Sequence, residues 1–330
     1  MLRLGIMGTN WITDSFIEGA ENSGKWTLTA VYSRTLEKAA KFAEKYHRDV
    51  ALFEDIAQLA ASDQVDAVYI ASPNALHYQH AIQLLEAGKH VIVEKPIFST
   101  TAELEHAHTV ARDQGVFLFE AARHMQEPNF KRLQENLPRI GKLHGATLTY
   151  MKYSSRYDAV LAGEEPNIFS LRFSGGSLVD LGVYPLYTAI ALFGEPESAQ
   201  YFARKIVTGV DGGGPIILSY PDFHVTINQG KNSTSKLPSE IYGEKGTLWI
   251  DPLTSIETIR FLAHDGSASE ELAQPIIEND MQFEAAEFAR IITKKDRDSY
   301  EYLADLSLKV LRVSNELRHQ NDIWFDVEKK

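Results

Sequence analysis

Apolar residues in the first 120 positions fall into short runs that are separated by segments with helical spacing. Short β-rich runs that alternate with amphipathic helices are typical of a parallel sheet with crossover helices. The pattern predicts strands at 2–8, 27–33, 50–53, 65–72, 90–94 and 116–121. It predicts helices at 11–22, 36–46, 56–61, 76–87 and 102–114. Because such crossovers are right-handed, we expect an α/β domain with a doubly wound, Rossmann-type sheet.

From about Glu127-Pro128 onwards the pattern changes, because longer β-rich runs follow one another with little helical spacing between them. These runs lie at 146–153, 197–207, 216–220, 225–229 and 247–250, and helical spacing returns at 178–193, 281–293 and 300–319. This order predicts a C-terminal α+β domain with a large, open, mostly antiparallel sheet and helices on one face. We therefore expect two domains, at 1–121 and 122–330, with Gly212-Gly213-Gly214 as a loop tip.

Composition and charge narrow the class of protein. A formal net charge of −12 disfavours binding to nucleic acid or to an anionic membrane, since both require basic surface. The 330 residues include no cysteine, which excludes disulfides and cysteine-ligated metal sites. We see no signal-peptide pattern and no apolar run of membrane-spanning length, so we expect a cytoplasmic protein.

An open sheet needs a cover for its second face, which predicts a homodimer or a larger homo-oligomer.

The turn after the first strand, Gly8-Thr9-Asn10-Trp11-Ile12-Thr13, lies where a dinucleotide-binding sheet holds a pyrophosphate. It departs from the usual G-x-G-x-x-G signature, since Asn10 replaces the second glycine and Thr13 takes the third position. Asn tolerates left-handed backbone better than other non-glycine residues, so we expect the tight turn to persist with Asn10 in that conformation. The alternative is a plain turn that binds nothing.

The end of the second strand bears on the choice of cofactor. A carboxylate there would accept from the ribose 2′-hydroxyl of NAD, whereas a cation suits the 2′-phosphate of NADP. Ser33 and Arg34 stand at this point, Lys38 follows one turn into the next helix, and no acid lies at 31–35. The residues therefore predict NADP, with NAD still possible, unless Arg34 is an ordinary solvated side chain.

Three further segments carry a family likeness: Ala71-Ser72-Pro73-Asn74-Ala75-Leu76-His77, the run 88–96 ending in Glu94-Lys95-Pro96, and the run 175–184. With Phe119-Glu120-Ala121 and the turn at 243–248, they make nearly the whole chain resemble the glucose-fructose oxidoreductase and inositol dehydrogenase family, Gfo/Idh/MocA. The resemblance implies a Rossmann domain and an open-faced α/β domain with the nicotinamide held between them.

The resemblance also makes Lys95 the cationic member of the active site. Hydride transfer to a carbonyl builds negative charge on oxygen, and an ammonium stabilises that charge while lowering the pKa of a neighbouring proton donor. Taken alone, a lysine that ends an apolar strand is typical of a snorkelling surface residue. The residues expected to bind cofactor are Gly8, Thr9, Asn10, Trp11, Ile12, Ser33, Arg34, Lys38, Ser72, Pro73, Asn74, His77, Glu94 and Lys95.

Asp180 and Tyr184 are four positions apart on one predicted helix, so both can face the same cleft. Many family members carry His where this chain has Tyr184, and the tyrosine resembles the branch with dimeric dihydrodiol dehydrogenase, in which it is the proton donor. A phenol with an ordinary pKa of about 10 is a poor base at neutral pH, which makes Lys95 the expected activator. Tyr187 is a possible substitute. Asp180 is expected to bind a substrate hydroxyl unless it only pairs locally.

Three other polar residues have open roles. His77 could contact the cofactor or serve as a structural residue at a helix start, and Arg123 and His124 could meet the substrate. His77 and His80 share a helix face, but no acidic or cysteine partner accompanies them, so we predict no metal site.

The predicted function is NADP-dependent hydride transfer between the nicotinamide and a carbinol or carbonyl carbon of a small sugar, polyol or dihydrodiol. No paired arginines flank the 175–184 motif, which disfavours a keto acid. Two alternatives stay open: a non-catalytic dinucleotide-sensing regulator, and a glycosidase that uses NAD transiently.

Overall fold

The computed structural model describes residues 1–329. Their contacts divide the chain into two compact units. The first unit comprises Met1–Arg123 and Asn279–Leu308, and the second comprises His124–Glu278 and the residues from Lys309 onwards. The expected division was a single boundary after residue 121. In the structure, the segment 279–308 belongs to the first unit and not to the second.

The strands are β1 (Leu2–Met7), β2 (Trp26–Tyr32), β3 (Ala51–Phe53), β4 (Ala67–Ile70), β5 (His90–Glu94), β6 (Leu118–Ala121), β7 (Leu143–Met151), β8 (Ser198–Tyr201), β9 (Arg204–Lys205), β10 (Asp211–Ser219), β11 (His224–Gly230), β12 (Ser239–Gly243), β13 (Gly246–Asp251), β14 (Thr258–Ala263) and β15 (Glu270–Glu271). The helices are α1 (Trp11–Asn22), α2 (Leu36–Ala43), α3 (Ile56–Ala61), α4 (His77–Glu86), α5 (Thr101–Asp113), α6 (Pro128–Asn136), α7 (Tyr157–Leu161), α8 (Val183–Phe193), α9 (Met281–Lys294) and α10 (Arg297–His319).

The first unit is built on a parallel sheet of six strands in the order β3-β2-β1-β4-β5-β6. Every strand pair in it is parallel. All residues of β4 are buried, as expected for a central strand covered on both faces. This strand order is that of dinucleotide-binding doubly wound sheets, so the predicted fold class of the first domain is confirmed.

Side-chain caps define where the helices of this unit begin. Four helices start after a residue whose side chain accepts from a backbone amide of the first turn: Asn10, Thr35, Asp55 and Thr100. Thr100 and Glu103 form a reciprocal capping box at the start of α5. These caps fix where each crossover helix starts after its strand, which is where a dinucleotide site must be formed.

Helix α9 completes the core of the first unit, although we expected residues 281–293 to pack on the second sheet. It packs along α1, and the Trp26 indole N–H donates to the Ala285 carbonyl at 2.7 Å. The Phe288 ring stacks on Phe119 with ring centroids 4.5 Å apart. That expectation was wrong, because helical spacing shows that one face is apolar but not which core the face will join.

The second unit contains a sheet of nine strands in the order β15-β14-β13-β12-β7-β11-β10-β8, with β9 paired to β10. β7 and β11 are parallel, and the other pairs are antiparallel. Helix α8 packs against β7 and β11, on the face that carries buried residues such as Leu148 and Ile227. The predicted large, mostly antiparallel sheet is confirmed.

The structure corrects several details of this sheet. Gly212-Gly213-Gly214 lies inside β10 and is not a loop tip. A Cβ on Gly213 would lie 2.7 Å from the Gly230 Cα, so the glycines allow β10 and β11 to approach closely. The run 197–207 splits into β8 and β9, and β12, β14 and β15 were not predicted.

The stretch Leu171–Phe193 is long and apolar enough to cross a membrane by length and composition. Our expectation that no run reaches this length was therefore wrong. However, 72% of its most apolar window is buried inside the protein. A helix that is apolar on all sides also suits a protein core, so this composition alone is weak evidence for a membrane span.

Candidate active site

The turn between β1 and α1 is tight, and its conformation requires glycine at position 8. Gly8 has a φ of +114°, and a Cβ there would lie 2.6 Å from the Ala71 carbonyl oxygen. Asn10 is not left-handed as expected, because its φ of −107° and ψ of 174° are those of an extended residue. Its side chain instead caps α1, accepting from the amides of Ile12 at 3.1 Å and Thr13 at 3.3 Å.

The Asn10 side chain also joins this turn to the next strand. Its amide nitrogen donates to the Ala71 carbonyl oxygen at 3.0 Å, directly after β4. Thr9 and Trp11 on either side are exposed, and the Trp11 side chain is 73% exposed. A large aromatic side chain in water beside a helix N-terminus leaves apolar surface that a bound dinucleotide can cover.

The end of β2 presents two cations to solvent. Arg34 and Lys38 are both exposed, whereas Ser33 is buried and its amide donates to the Phe53 carbonyl at 3.0 Å. One acid that the sequence analysis missed is also present, because Glu54 accepts from the Leu36 amide at 3.1 Å. The end of β2 therefore combines two cations suited to a phosphate with a carboxylate already engaged by backbone.

Beyond β4, His77 is a buried bridge between two strand ends. Its Nε2 lies 2.7 Å from the Ser72 carbonyl oxygen, and its Nδ1 lies 3.0 Å from the Pro96 carbonyl oxygen. Burial lowers the pKa of His77, although the carbonyl contacts partly oppose this. The side chain is 1% exposed, so its contacts indicate that it positions the segments around Ser72 and Pro96. Pro73 and Asn74 follow Ser72 on the partly exposed turn that leads into α4.

Glu94 supports Lys95 from inside the unit. The Tyr69 hydroxyl donates to one Glu94 oxygen at 2.5 Å, and the Lys95 amide donates to the other at 3.2 Å. Burial raises the pKa of Glu94, which the Lys95 charge and the Tyr69 hydrogen bond partly counteract. Two residues on, the Ile97 amide donates to Glu120 at 3.1 Å. Carboxylates thus hold the backbone on both sides of Lys95.

Arg123 pairs with Asp280 at 3.1 Å, within the same unit. Both side chains are largely buried. From the sequence, Arg123 could contact the substrate or serve a structural role. In the structure it is paired with an acid at the start of α9.

In the second unit, Tyr184 lies within a cluster of aromatic rings. The His124 ring centroid is 5.0 Å from that of Tyr184, and the Tyr150 centroid is 5.4 Å from it. Tyr187 also contacts His124, at 5.9 Å between centroids. Tyr184 is 8% exposed and His124 1%. The structure therefore brings together Tyr184, Tyr187 and His124, all of which the sequence singled out.

Asp180 lies on a π-helical turn, Leu178–Gly182, that continues into α8. Such turns are rare and occur frequently at functional sites. The Asp180 carboxylate forms an ion pair with Lys231, whose side chain is only 4% exposed. The Asp180 side chain is 19% exposed, so solvent reaches the carboxylate of the pair more readily than the lysine.

A buried network holds the start of this π-helical turn. Asp211 accepts from the amides of Ser177 at 3.1 Å and Leu178 at 2.7 Å, and from the Tyr201 hydroxyl at 2.6 Å. Burial raises the pKa of Asp211, and these donors partly oppose the rise. The network fixes the position of the helical segment that carries Asp180 and Tyr184.

Lys231 and Asp211 were missed by the sequence analysis. Lys231 could have been found from the sequence. Buried residues alternate along β11 at Val225, Ile227 and Gln229, and Lys231 takes the next position on the same face. A charged residue on that face needs a buried partner. Asp211 had no comparable signal, since its contacts depend on the strand pairing. Within residues 1–329, no group of three or more metal-ligating side chains is found.

Two family models match this chain. One, GFO_IDH_MocA, described as an oxidoreductase family with an NAD-binding Rossmann fold, covers residues 2–122, and the GFO/IDH/MocA C-terminal domain covers residues 130–249. The chain belongs to the GFO/IDH/MocA oxidoreductase family. The predicted family and enzyme class are therefore confirmed, and this GFO/IDH/MocA member is a nicotinamide-dependent dehydrogenase or reductase.

Known relatives of this GFO/IDH/MocA protein cover between three quarters and nearly all of its length. It is 42% identical over 328 residues to scyllo-inositol 2-dehydrogenase (NADP(+)) IolU of Bacillus subtilis, with 99% of each chain covered. It is 31% identical over 265 residues to trans-1,2-dihydrobenzene-1,2-diol dehydrogenase of Mus musculus, covering 76% of this chain and 75% of that one. The crystal structure of aldose-aldose oxidoreductase from Caulobacter crescentus, complexed with glycerol, has a TM-score of 0.84 at 21% identity and covers 97% of this chain and 98% of that one. At 21% identity, the likeness to the Caulobacter structure shows a shared fold alone.

Proposed function

We propose that this protein is an NADP-dependent dehydrogenase that interconverts a secondary alcohol and a ketone on a small polyol or sugar. The observation that carries the proposal is the full-length likeness to IolU, which is named for scyllo-inositol and NADP(+). The mouse relative acts on a cyclic diol by its name, which supports the same class of substrate.

The first unit offers donors that suit a phosphorylated dinucleotide. The Trp11 amide opens α1, while Asn10 takes the next two amides, so Trp11 is the residue of this turn best able to hold the pyrophosphate. The exposed Arg34 and Lys38 would hold the 2′-phosphate of NADP. Bound NADP would supply the hydride acceptor.

Oxidation of a carbinol removes a hydride from carbon and a proton from oxygen. We assign the proton to Tyr184, whose phenolate takes it from the substrate hydroxyl during oxidation and whose phenol returns it to the carbonyl oxygen in the opposite direction. Lys95 carries the positive charge that stabilises the alkoxide. The anchors on either side of Lys95 leave its backbone little freedom, which suits a cation that must be held in one place.

Asp180 is assigned to a neighbouring hydroxyl of the substrate. A carboxylate accepts hydrogen bonds from hydroxyl groups, and a polyol offers several close to the reacting carbon. A carboxylate that a bound substrate shields from water favours a substrate whose hydroxyl donates to it over an analogue that lacks this hydroxyl.

The test is a spectrophotometric screen at the absorbance of reduced nicotinamide. Purified protein is supplied with NADP or NAD and with inositols, aldoses, glycerol or trans-cyclohexanediol. We expect stoichiometric NADPH formation with at least one cyclic polyol or sugar and slower reduction of NAD. A regulator would bind NADP without turnover, and an NAD-dependent glycosidase would cleave glycosides with no net change in NADPH. Either result would overturn the proposal.

We further propose that the protein is a homodimer. Residues on the sheet face opposite α8, including Thr147, Glu240 and Trp249, are neighbours across β7, β12 and β13 and remain partly exposed. A second copy can cover this face. Light scattering should report a dimer or a larger assembly, Trp249→Arg should weaken it, and a monomeric mass at micromolar concentration would contradict it. The cytoplasmic location stays a prediction.

A further inference from the structure

Lys231 is a buried lysine in the second unit that the proposed chemistry does not yet use. It directly follows β11, and the residue is 3% exposed. Its backbone is held on both sides, because its amide donates to the Gly212 carbonyl at 2.8 Å and its carbonyl accepts from the Ser154 amide at 2.8 Å. These two hydrogen bonds fix the position of the Lys231 backbone, from which the side chain extends.

The Lys231 ammonium contacts a carboxylate and an aromatic ring. It forms the ion pair with Asp180 and sits over the Phe169 ring at 5.1 Å from the centroid. An ammonium loses its hydration when it is buried, and an ion pair of this kind contributes little net stability compared with apolar side chains of the same volume. Stability alone therefore does not explain why a lysine occupies this position.

The asymmetry of the pair indicates its role. The lysine side chain is 4% exposed and the Asp180 side chain 19%, so the carboxylate is the member that solvent or a substrate can reach. Asp180 also lies on the π-helical turn directly before Tyr184. A cation behind the carboxylate restricts its rotamers, which prepares it to accept from a hydroxyl.

We infer that Lys231 is a positioning residue that acts through Asp180 and sets the preference for substrates with a hydroxyl beside the reacting carbinol. This inference rests on the proposed function. It adds that recognition of the neighbouring hydroxyl requires two residues, one of which does not need to touch the substrate.

The experiment is a double-mutant cycle on the kinetics with a cyclic polyol. Lys231→Met should lower kcat/KM by about tenfold to a hundredfold, mainly through KM, with NADP affinity unchanged. Lys231→Arg should restore part of the loss. If the lysine acts through Asp180, the double variant Asp180→Asn with Lys231→Met should be no worse than Asp180→Asn alone.

Two comparisons make the result specific. Lys236→Met, an exposed lysine in the same loop, should behave as the unaltered protein. A deoxy analogue that lacks one neighbouring hydroxyl should be discriminated less strongly by Lys231→Met than by the unaltered protein. Multiplicative losses in the double variant, or unchanged discrimination, would overturn the inference while leaving the proposed function intact.

An unaltered protein without turnover would contradict the proposed function instead. The pair would then be tested by thermal unfolding of the same four proteins, in which additive changes would show that Asp180 and Lys231 are not coupled.

Discussion

The polar groups of the two units are organised in different ways. In the first unit, the side chains at the strand ends bond mainly to backbone: Asn10 to Ala71, His77 to Ser72 and Pro96, and Glu120 to Ile97. In the second unit, side chains around the π-helical turn bond to one another, as Asp180 does to Lys231 and Ser177 to Gln229, although Asp211 also accepts from backbone amides. The first pattern fixes the shape of the chain, and the second fixes the charge and orientation of reactive groups.

This difference teaches where a substitution should act. Removing a side chain in the first pattern shifts backbone that would contact a cofactor, so binding should change. Removing one in the second pattern should change the charge or the orientation of a reactive group. Lys95 is the exception that tests the comparison, because it belongs to the first unit and is assigned to the reaction.

The largest effect is expected for Lys95→Ala. It removes the charge that stabilises the alkoxide, so kcat with NADP should fall by at least about 10²–10⁴-fold. Steady-state kinetics measure kcat, and fluorescence titration with NADPH measures the cofactor affinity separately. Lys25→Ala, an exposed lysine of the same unit, serves as the control. Near-normal turnover would remove Lys95 from the reaction.

Tyr184→Phe should lower kcat by about 10²–10⁴-fold, because it keeps the ring among its aromatic neighbours and removes only the hydroxyl. NADP affinity and the melting temperature should change little. Tyr187→Phe is the matched control from the same helix. If the control loses activity and Tyr184→Phe does not, the proton belongs to Tyr187.

Arg34→Ala should narrow the preference for NADP over NAD by about tenfold to a hundredfold, since a charge-assisted contact to the 2′-phosphate is lost. Isothermal titration with both cofactors measures it. Lys41→Ala, an exposed cation on the following helix α2, should leave the ratio unchanged. Equal or tighter NAD binding by the unaltered protein would contradict the assignment, and Glu54 would then become the candidate for the ribose.

The smallest effect concerns acid stability, and it should appear first in the first unit. Burial lowers the pKa of His80, His90 and His108 to about 4, and all three belong to this unit. The unfolded chain takes up these protons below about pH 6.5, whereas the folded chain resists until about pH 4, so stability falls as the pH drops through that window.

His90 offers the sharpest variant for this test, because its Nδ1 accepts from the Phe117 amide at 3.0 Å and cannot do so when protonated. Urea unfolding between pH 7 and pH 4.5 should show a steeper pH dependence for the unaltered protein than for His90→Asn. His144→Gln, an exposed histidine of the second unit, should not flatten the curve. Identical slopes for all three proteins would remove His90 from the explanation.

The first unit could be predicted closely from the sequence, because alternation of strands and helices fixes the sheet and the strand ends fix where ligand groups lie. The conformation of Asn10 could not, since a cap and a left-handed turn are both favoured by the same residue. In the second unit, Asp180 and Tyr184 were identified through a family motif. The partner of Asp180 was not, because Lys231 lies 51 residues from Asp180 and meets it only where the π-helical turn packs against β11.

The placement of α9 has a consequence for the modularity of the chain. Its residues cover Trp26 and Phe119, so the dinucleotide-binding unit is not a contiguous N-terminal block. A fragment that ends at residue 123 keeps every strand of the parallel sheet but loses the Ala285 carbonyl and the Phe288 ring. Exchange of this unit between related proteins therefore requires that a helix encoded near the opposite end of the chain be transferred with it.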